Sequence, residues 1–199
     1  MQADRFSTGA ACSILISLTT DRAMKSCARA ALGLAASAAM LGAAVIGCGS
    51  SHDYSDLLPP GSIRLDPAHQ FYSGPVVHDP GGKPGVSKTY TSWDRTLVAT
   101  IVVLSNASAA AGALNQAKAD LPRVVTGATA ESVPVGSGGT VVSARSPDGS
   151  KSVSVLLFTE GKTFTTYEIT SDSGDPVSTD FLVPVGQEQD ARLKASNVS

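Results

Sequence analysis

Cys48 is the residue of this 199-residue chain whose setting best prepares it for chemistry. It closes Val45-Ile46-Gly47-Cys48 at the end of 18 uncharged residues, Ala30–Gly47, that follow Lys25 and Arg29. A positive start, an apolar stretch rich in Ala and Gly, and a small residue beside the thiol form the pattern of an export segment. The chemistry expected is acylation of the Cys48 thiol, with the preceding peptide removed so that Cys48 becomes the first residue. A transmembrane helix is the competing reading, because 18 residues approach a bilayer-spanning length. Alanine contributes little transfer energy, however, and a cysteine directly after Val-Ile-Gly is better explained by lipidation. The segment starts at Met24, and residues 1–23, with Asp4 and Asp21, read as an extension from a start codon assigned too far upstream.

The remaining titratable candidates are weaker. His52, His69 and His78 fall in stretches that read as tether and loop, without the spacing of two metal ligands on one helical face. A hydrolase using His69 or His78 with a nearby acid is the alternative function, and it requires both histidines to converge in a cleft with a nucleophile. No serine carries glycine two residues to either side, so a nucleophile elbow is missing. Gly136, Gly138 and Gly139 lead into a strand instead of a helix N-terminus, which makes them a turn and not a phosphate loop. Asp172, Asp175 and Asp180 lack the ligand order of a calcium loop. No catalytic residue, cofactor or metal site is assigned.

Three aromatic residues are candidates for ligand binding. Phe71 and Tyr72 sit among glycines and prolines in a segment, Asp66–Val86, expected to be a long loop, and loops carry function. Beside an alanine-rich helix they would line the mouth of an apolar groove suited to an acyl chain or another hydrophobic molecule. Trp93 lies with Tyr90 on an expected strand, where an aromatic side chain belongs first to the core and only second to a groove.

Composition narrows the rest. Removal of the first 47 residues leaves enough chain for one ordinary domain. Of the three cysteines, Cys12 and Cys27 precede the cut and Cys48 carries lipid, so disulfides and thiolate metal sites are excluded. Four of the 15 basic and two of the 17 acidic residues precede Cys48, leaving 11 against 15. That acidic excess, with no basic stripe, excludes nucleic acid as a partner. It also gives the membrane no electrostatic hold, so attachment rests on acyl chains, at about 0.8 kcal/mol per buried CH₂.

Positioning these groups falls to a modest set of elements. Gly49 to about Pro60 reads as a tether whose Leu57-Leu58 pair docks on the domain. Lys88–Trp93 and Thr96–Leu104 form a hairpin turning at Asp94-Arg95, the second strand apolar enough to be central and covered on both faces. A helix follows, capped by Ser105 or Asn106, with Ala107, Ala110, Ala111, Leu114, Ala117 and Leu121 at helical spacing and Pro122 as its stop. A meander comes next: Thr140–Ala144, a turn at Ser146-Pro147-Asp148-Gly149, Ser152–Phe158, a turn at Glu160-Gly161, and Thr163–Thr170. A short helix after Pro184, with Val185 and Leu193 inward, ends the chain. The fold class is therefore α+β: an antiparallel sheet, hairpin plus three-stranded meander, covered by one or two helices.

The Val45–Cys48 segment looks like a bacterial lipoprotein lipobox. Together with Leu57-Leu58-Pro59, Ser146–Lys151, Val155–Gly161 and Val185–Gln189, it makes the chain resemble actinobacterial, especially mycobacterial, exported lipoproteins, in layout the LpqN/LpqT group. That resemblance covers roughly Leu57–Ala195. It implies a PsbP/Mog1-like fold, palmitate-type acylation at Cys48, a place on the outer side of the cell membrane, and no catalytic residues. The expected organisation is 1–23 extension, 24–47 signal peptide, 48–60 lipidated N-terminus and tether, and 61–199 one α+β domain. The expected function is a non-enzymatic binding module for an envelope lipid, a small hydrophobic ligand or a protein partner.

Overall fold

The computed structural model describes residues 53–59, 62–66, 69–172, 174–196 and 198. The segment expected to direct export, and Cys48, lie outside these. Among the described residues, eight strands form one antiparallel sheet in the order β1-β2-β3-β4-β8-β7-β6-β5. The strands are β1 (Ser62–Asp66), β2 (His69–His78), β3 (Gly85–Thr91), β4 (Arg95–Val103), β5 (Thr126–Ser132), β6 (Ser137–Arg145), β7 (Ser152–Glu160) and β8 (Thr163–Ser171). Two helices, α1 (Ala107–Val124) and α2 (Thr179–Ala195), complete the fold. The α+β class, the hairpin β3–β4 and the meander β6–β7–β8 are as the sequence predicts.

Several expectations are corrected. Asp66–Val86 is not a loop: β2 runs through it and pairs with both β1 and β3. Gly74 and Pro75 sit where the β2–β3 register shifts, so a strand tolerates them as an irregularity. The edge strand β5 is invisible in sequence because all seven of its residues are exposed and no apolar alternation marks it. Pro122 does not stop α1, since a proline in the last turn forfeits only its own N–H bond, and the Val125 amide still reaches the Leu121 carbonyl at 3.1 Å. α2 likewise begins before Pro184, at Ser178, whose hydroxyl accepts from the Asp180 amide at 3.2 Å.

The sheet separates two cores. On one face, Phe71, Val86, Tyr90, Leu97, Ile101, Leu156, Phe158, Tyr167 and Ile169 pack under α2, through Leu182 and Leu193, and under Leu57 and Leu58. α2 comes close because Gly186 has no side chain: a Cβ there would stand 2.5 Å from Leu156 Cδ2. Several polar groups buried on this face are paired, although Thr165 Oγ1 and Asp190 Oδ1 are not. Tyr167 donates to Gln189 Oε1 at 3.0 Å, Gln189 Nε2 donates to the Leu57 carbonyl at 2.7 Å, and Tyr90 donates to the Pro59 carbonyl at 3.1 Å. On the other face α1 brings Leu114, Leu121 and the following Val125 onto Val142, Ala144, Val153, Val155 and Leu157.

Candidate functional site

Chain connectivity makes α1 cross its face diagonally. Three residues link Val103 at the end of β4 to the start of α1, and one links α1 to β5. Those two strands are four sheet spacings apart, ~19 Å. An 18-residue helix is ~27 Å long, so α1 must travel steeply across the sheet from one attachment to the other. It packs on β5, β7 and β8, leaving the same face of β2, β3 and β4 without a helical cover.

Register identifies what lines this uncovered face on β2, β3 and β4 and how each row continues under α1 on β8 and β7. One cross-strand row reads Thr89, Val98, Glu168, Val155. The row beside it reads Tyr72, Thr91, Thr96, Thr170, Val153. On the other side the row is Val77, Ser87, Thr100, Thr166, Leu157. The expectation that β4 is covered on both faces therefore fails. Leu97, Ala99, Ile101 and Val103 are buried, whereas Thr96, Val98, Thr100 and Val102 are only half-buried. α1 forms the wall. Leu114 and Lys118 lean toward β6, the latter donating to the Gly138 carbonyl at 2.8 Å. Ala109, Ala113 and Ala117, spaced by four residues, are half-buried.

The three aromatic candidates part company here. Phe71 is fully buried on the α2 face, because successive strand residues point to opposite sides and its neighbour Tyr72 takes the open one. Tyr72 is 67% exposed. Trp93 is 81% exposed, which corrects the expectation of a core residue: the strand ends at Thr91 and Trp93 occupies the turn to β4. Tyr72 and Trp93 share the end of the sheet toward which α1 recedes from β4. His69 and His78, in contrast, stand at the two ends of the ten-residue β2, ~30 Å apart, and do not converge.

Glu168 was overlooked in the sequence because its strand reads as an ordinary Thr-rich meander segment. It is 5% exposed, and Oε1 has no hydrogen-bond partner. Burial pushes its carboxyl up to about 7. An isolated acid at an inward position of a central strand is the signal that a search by burial pattern would have found. A second acidic group joins α2 to β7. Lys194 Nζ lies 2.6 Å from Asp190 Oδ2 and 3.9 Å from Glu160 Oε2. Burial first, then the hydrogen bond and charge of Asp190, raise the Glu160 carboxyl, and Asp190 Oδ1 is enclosed without a hydrogen-bond partner.

The acidic loop of Asp172, Asp175 and Asp180 does not gather into a site. Asp172 pairs with Lys151 at 2.9 Å and Asp180 enters the first turn of α2. Among the described residues no three His, Cys, Asp or Glu side chains come together as metal ligands. No family model, no curated protein and no solved structure matches this chain.

Proposed function

We propose that this chain is an exported lipoprotein, acylated at Cys48 and held on the outer side of a cell membrane, that acts as a non-enzymatic binding module through the uncovered sheet face beside α1. A kinship with the LpqN/LpqT lipoproteins and a PsbP/Mog1-like arrangement belong to the same proposal and rest on the sequence layout. The observation that carries the binding role is the half-covered β4. Val98 and Val102 are left half-buried in the middle of a sheet, next to the exposed Tyr72 and Val77, and apolar surface left open in this way marks a binding surface.

The placement of the anchor supports this. Asp53, five residues after Cys48, lies 3.9 Å from His78 at the end of β2 remote from the Trp93 turn. Five residues reach at most ~17 Å. The wide end of the open face would then point away from the membrane, toward ligands in the envelope. The alternative, an envelope hydrolase using His69 or His78, has an acid beside His78 but lacks the convergence it requires, since the two histidines stand at opposite ends of β2.

Two measurements test the proposal. Labelled palmitate fed to a lipoprotein-processing bacterium should enter the full chain and be lost in Cys48→Ser; equal labelling would end the lipidation claim. A photocrosslinker placed at Thr91 of the full chain should capture envelope material that Val98→Arg abolishes. Identical capture by both forms, or none by either, would remove the open face from the proposal.

A further inference from the structure

Resting on the reading of this face as a binding surface, Glu168 supplies the chemistry of what it binds. Buried polar atoms in native proteins are nearly always paired, and an exception needs a reason. Glu168 is such an exception: it is 95% buried by its 5% exposure, and Oε1 has no partner. Around it on the same face stand Thr166 and Thr170, two positions away on β8, and Thr96 and Thr100, their cross-strand partners on β4.

No charged group of the neighbouring elements answers this carboxyl. β3 contributes Ser87, Thr89 and Thr91 to the face, β4 contributes Thr96, Val98, Thr100 and Val102, and β7 contributes Val153, Val155 and Leu157. On α1, Asp120 is already held by Arg123 at 2.7 Å and by Gln116, and Lys118 is turned away to Gly138. The face thus has an acid, a ring of hydroxyls and, at its wide end, two exposed aromatic side chains, but no cation of its own. A carboxylate and hydroxyl acceptors match the three donors of an ammonium group, and aromatic faces attract the same charge. An acyl chain would leave the acid without a partner, and an anion would be repelled; Thr100 Oγ1, already bonded to Ser87 Oγ at 2.9 Å, offers the ammonium its remaining lone pair.

We propose that the open face is a site for a ligand bearing a primary ammonium group, received by Glu168 and the surrounding Thr96, Thr100, Thr166 and Thr170. The approach is from the Thr96–Thr170 row, where both residues are half-buried. Because the carboxyl titrates at about 7, binding needs its ionised form and tightens as pH rises through that value.

The test titrates the full chain with phenethylamine, phenethyl alcohol and phenylacetate, which share a ring and differ in head group. Amide resonances of Val98 and Thr170 and the side-chain carboxyl carbon of Glu168 are followed by NMR. The amine should bind in preference to the other two, tighten about tenfold between one pH unit below and one above the Glu168 midpoint, and shift that midpoint downward. Glu168→Gln, which copies the protonated acid and so preserves the fold, should lose the preference and flatten the pH profile. Equal binding of all three compounds, or a Glu168 midpoint unmoved by the amine, would overturn the ammonium site while leaving the face a binding surface. Silence with all three would overturn it too, and the Val98→Arg crosslinking, which is blind to head group, then decides separately whether the face binds anything.

Discussion

The two faces of this one sheet are built to different standards. The α2 face is closed: its aromatic side chains are buried, and the polar groups of Tyr90, Tyr167 and Gln189 each find a partner at 2.7–3.1 Å. The α1 face is half covered, with hydroxyls, valines and an unpaired Glu168 on its floor. The closed face is not free of orphans, since Thr165 Oγ1 and Asp190 Oδ1 lack partners, but it buries the larger apolar core. The contrast therefore rests on packing: the larger apolar core assigns stability to the α2 face, and the half-covered α1 face is left for recognition.

The largest test of that division is truncation on the closed face. Phe158→Ala should destabilise by about 3–5 kcal/mol in denaturant unfolding, since Phe158 is fully buried there. A loss below about 1 kcal/mol would mean the α2 face is not the stabilising one.

Glu168→Gln comes next, and its effect depends on pH. The folded acid titrates at about 7 against an ordinary 4.5. Below 4.5 both states are protonated and the residue contributes no penalty; between 4.5 and 7 the unfolded chain gives up its proton first, so stability falls as pH rises. The substitution should therefore stabilise by on the order of 3 kcal/mol near pH 8 and do little near pH 4. A pH-independent effect would show that Glu168 is not a desolvated acid.

Glycines in the two helices sharpen the comparison. Gly186→Ala should cost about 1–3 kcal/mol, because the new methyl meets Leu156 and Val135 at 2.5 and 2.9 Å. Gly112→Ala, in α1 with nothing within 4 Å, should instead stabilise by about 0.5–1 kcal/mol through helix propensity alone. Thermal unfolding of the pair measures both signs. Smallest of all, Tyr72→Ala and Trp93→Ala should change stability by about 0.5 kcal/mol or less, while weakening amine binding if the open face is the site.

Much of the framework was legible. The Asp148-Gly149 and Glu160-Gly161 turns and the Asn106 cap, which accepts from the Ala109 amide at 2.8 Å, are local signals that the structure obeys. β2 was hidden by Gly74 and Pro75, and β5 by its exposure, since each is a strand only because a neighbour offers it hydrogen bonds. Of the candidate site, Tyr72 was found and Phe71 misplaced, because a strand sends adjacent residues to opposite faces and a loop reading carries no such rule.

By itself, the sequence determines the α+β class, the hairpin, the meander and both helices, because periodicity, caps and turn residues act over a few neighbouring positions. It also holds the uncharged run ending at Cys48, on which the proposed export and acylation rest. Tertiary structure alone decides that α1 crosses the sheet on a diagonal, that β4 is bare on one side, and that Glu168 lies buried without a partner. Those facts depend on which strands are neighbours, and residues as distant as Thr89, Val98 and Glu168 become one row only when the sheet has formed.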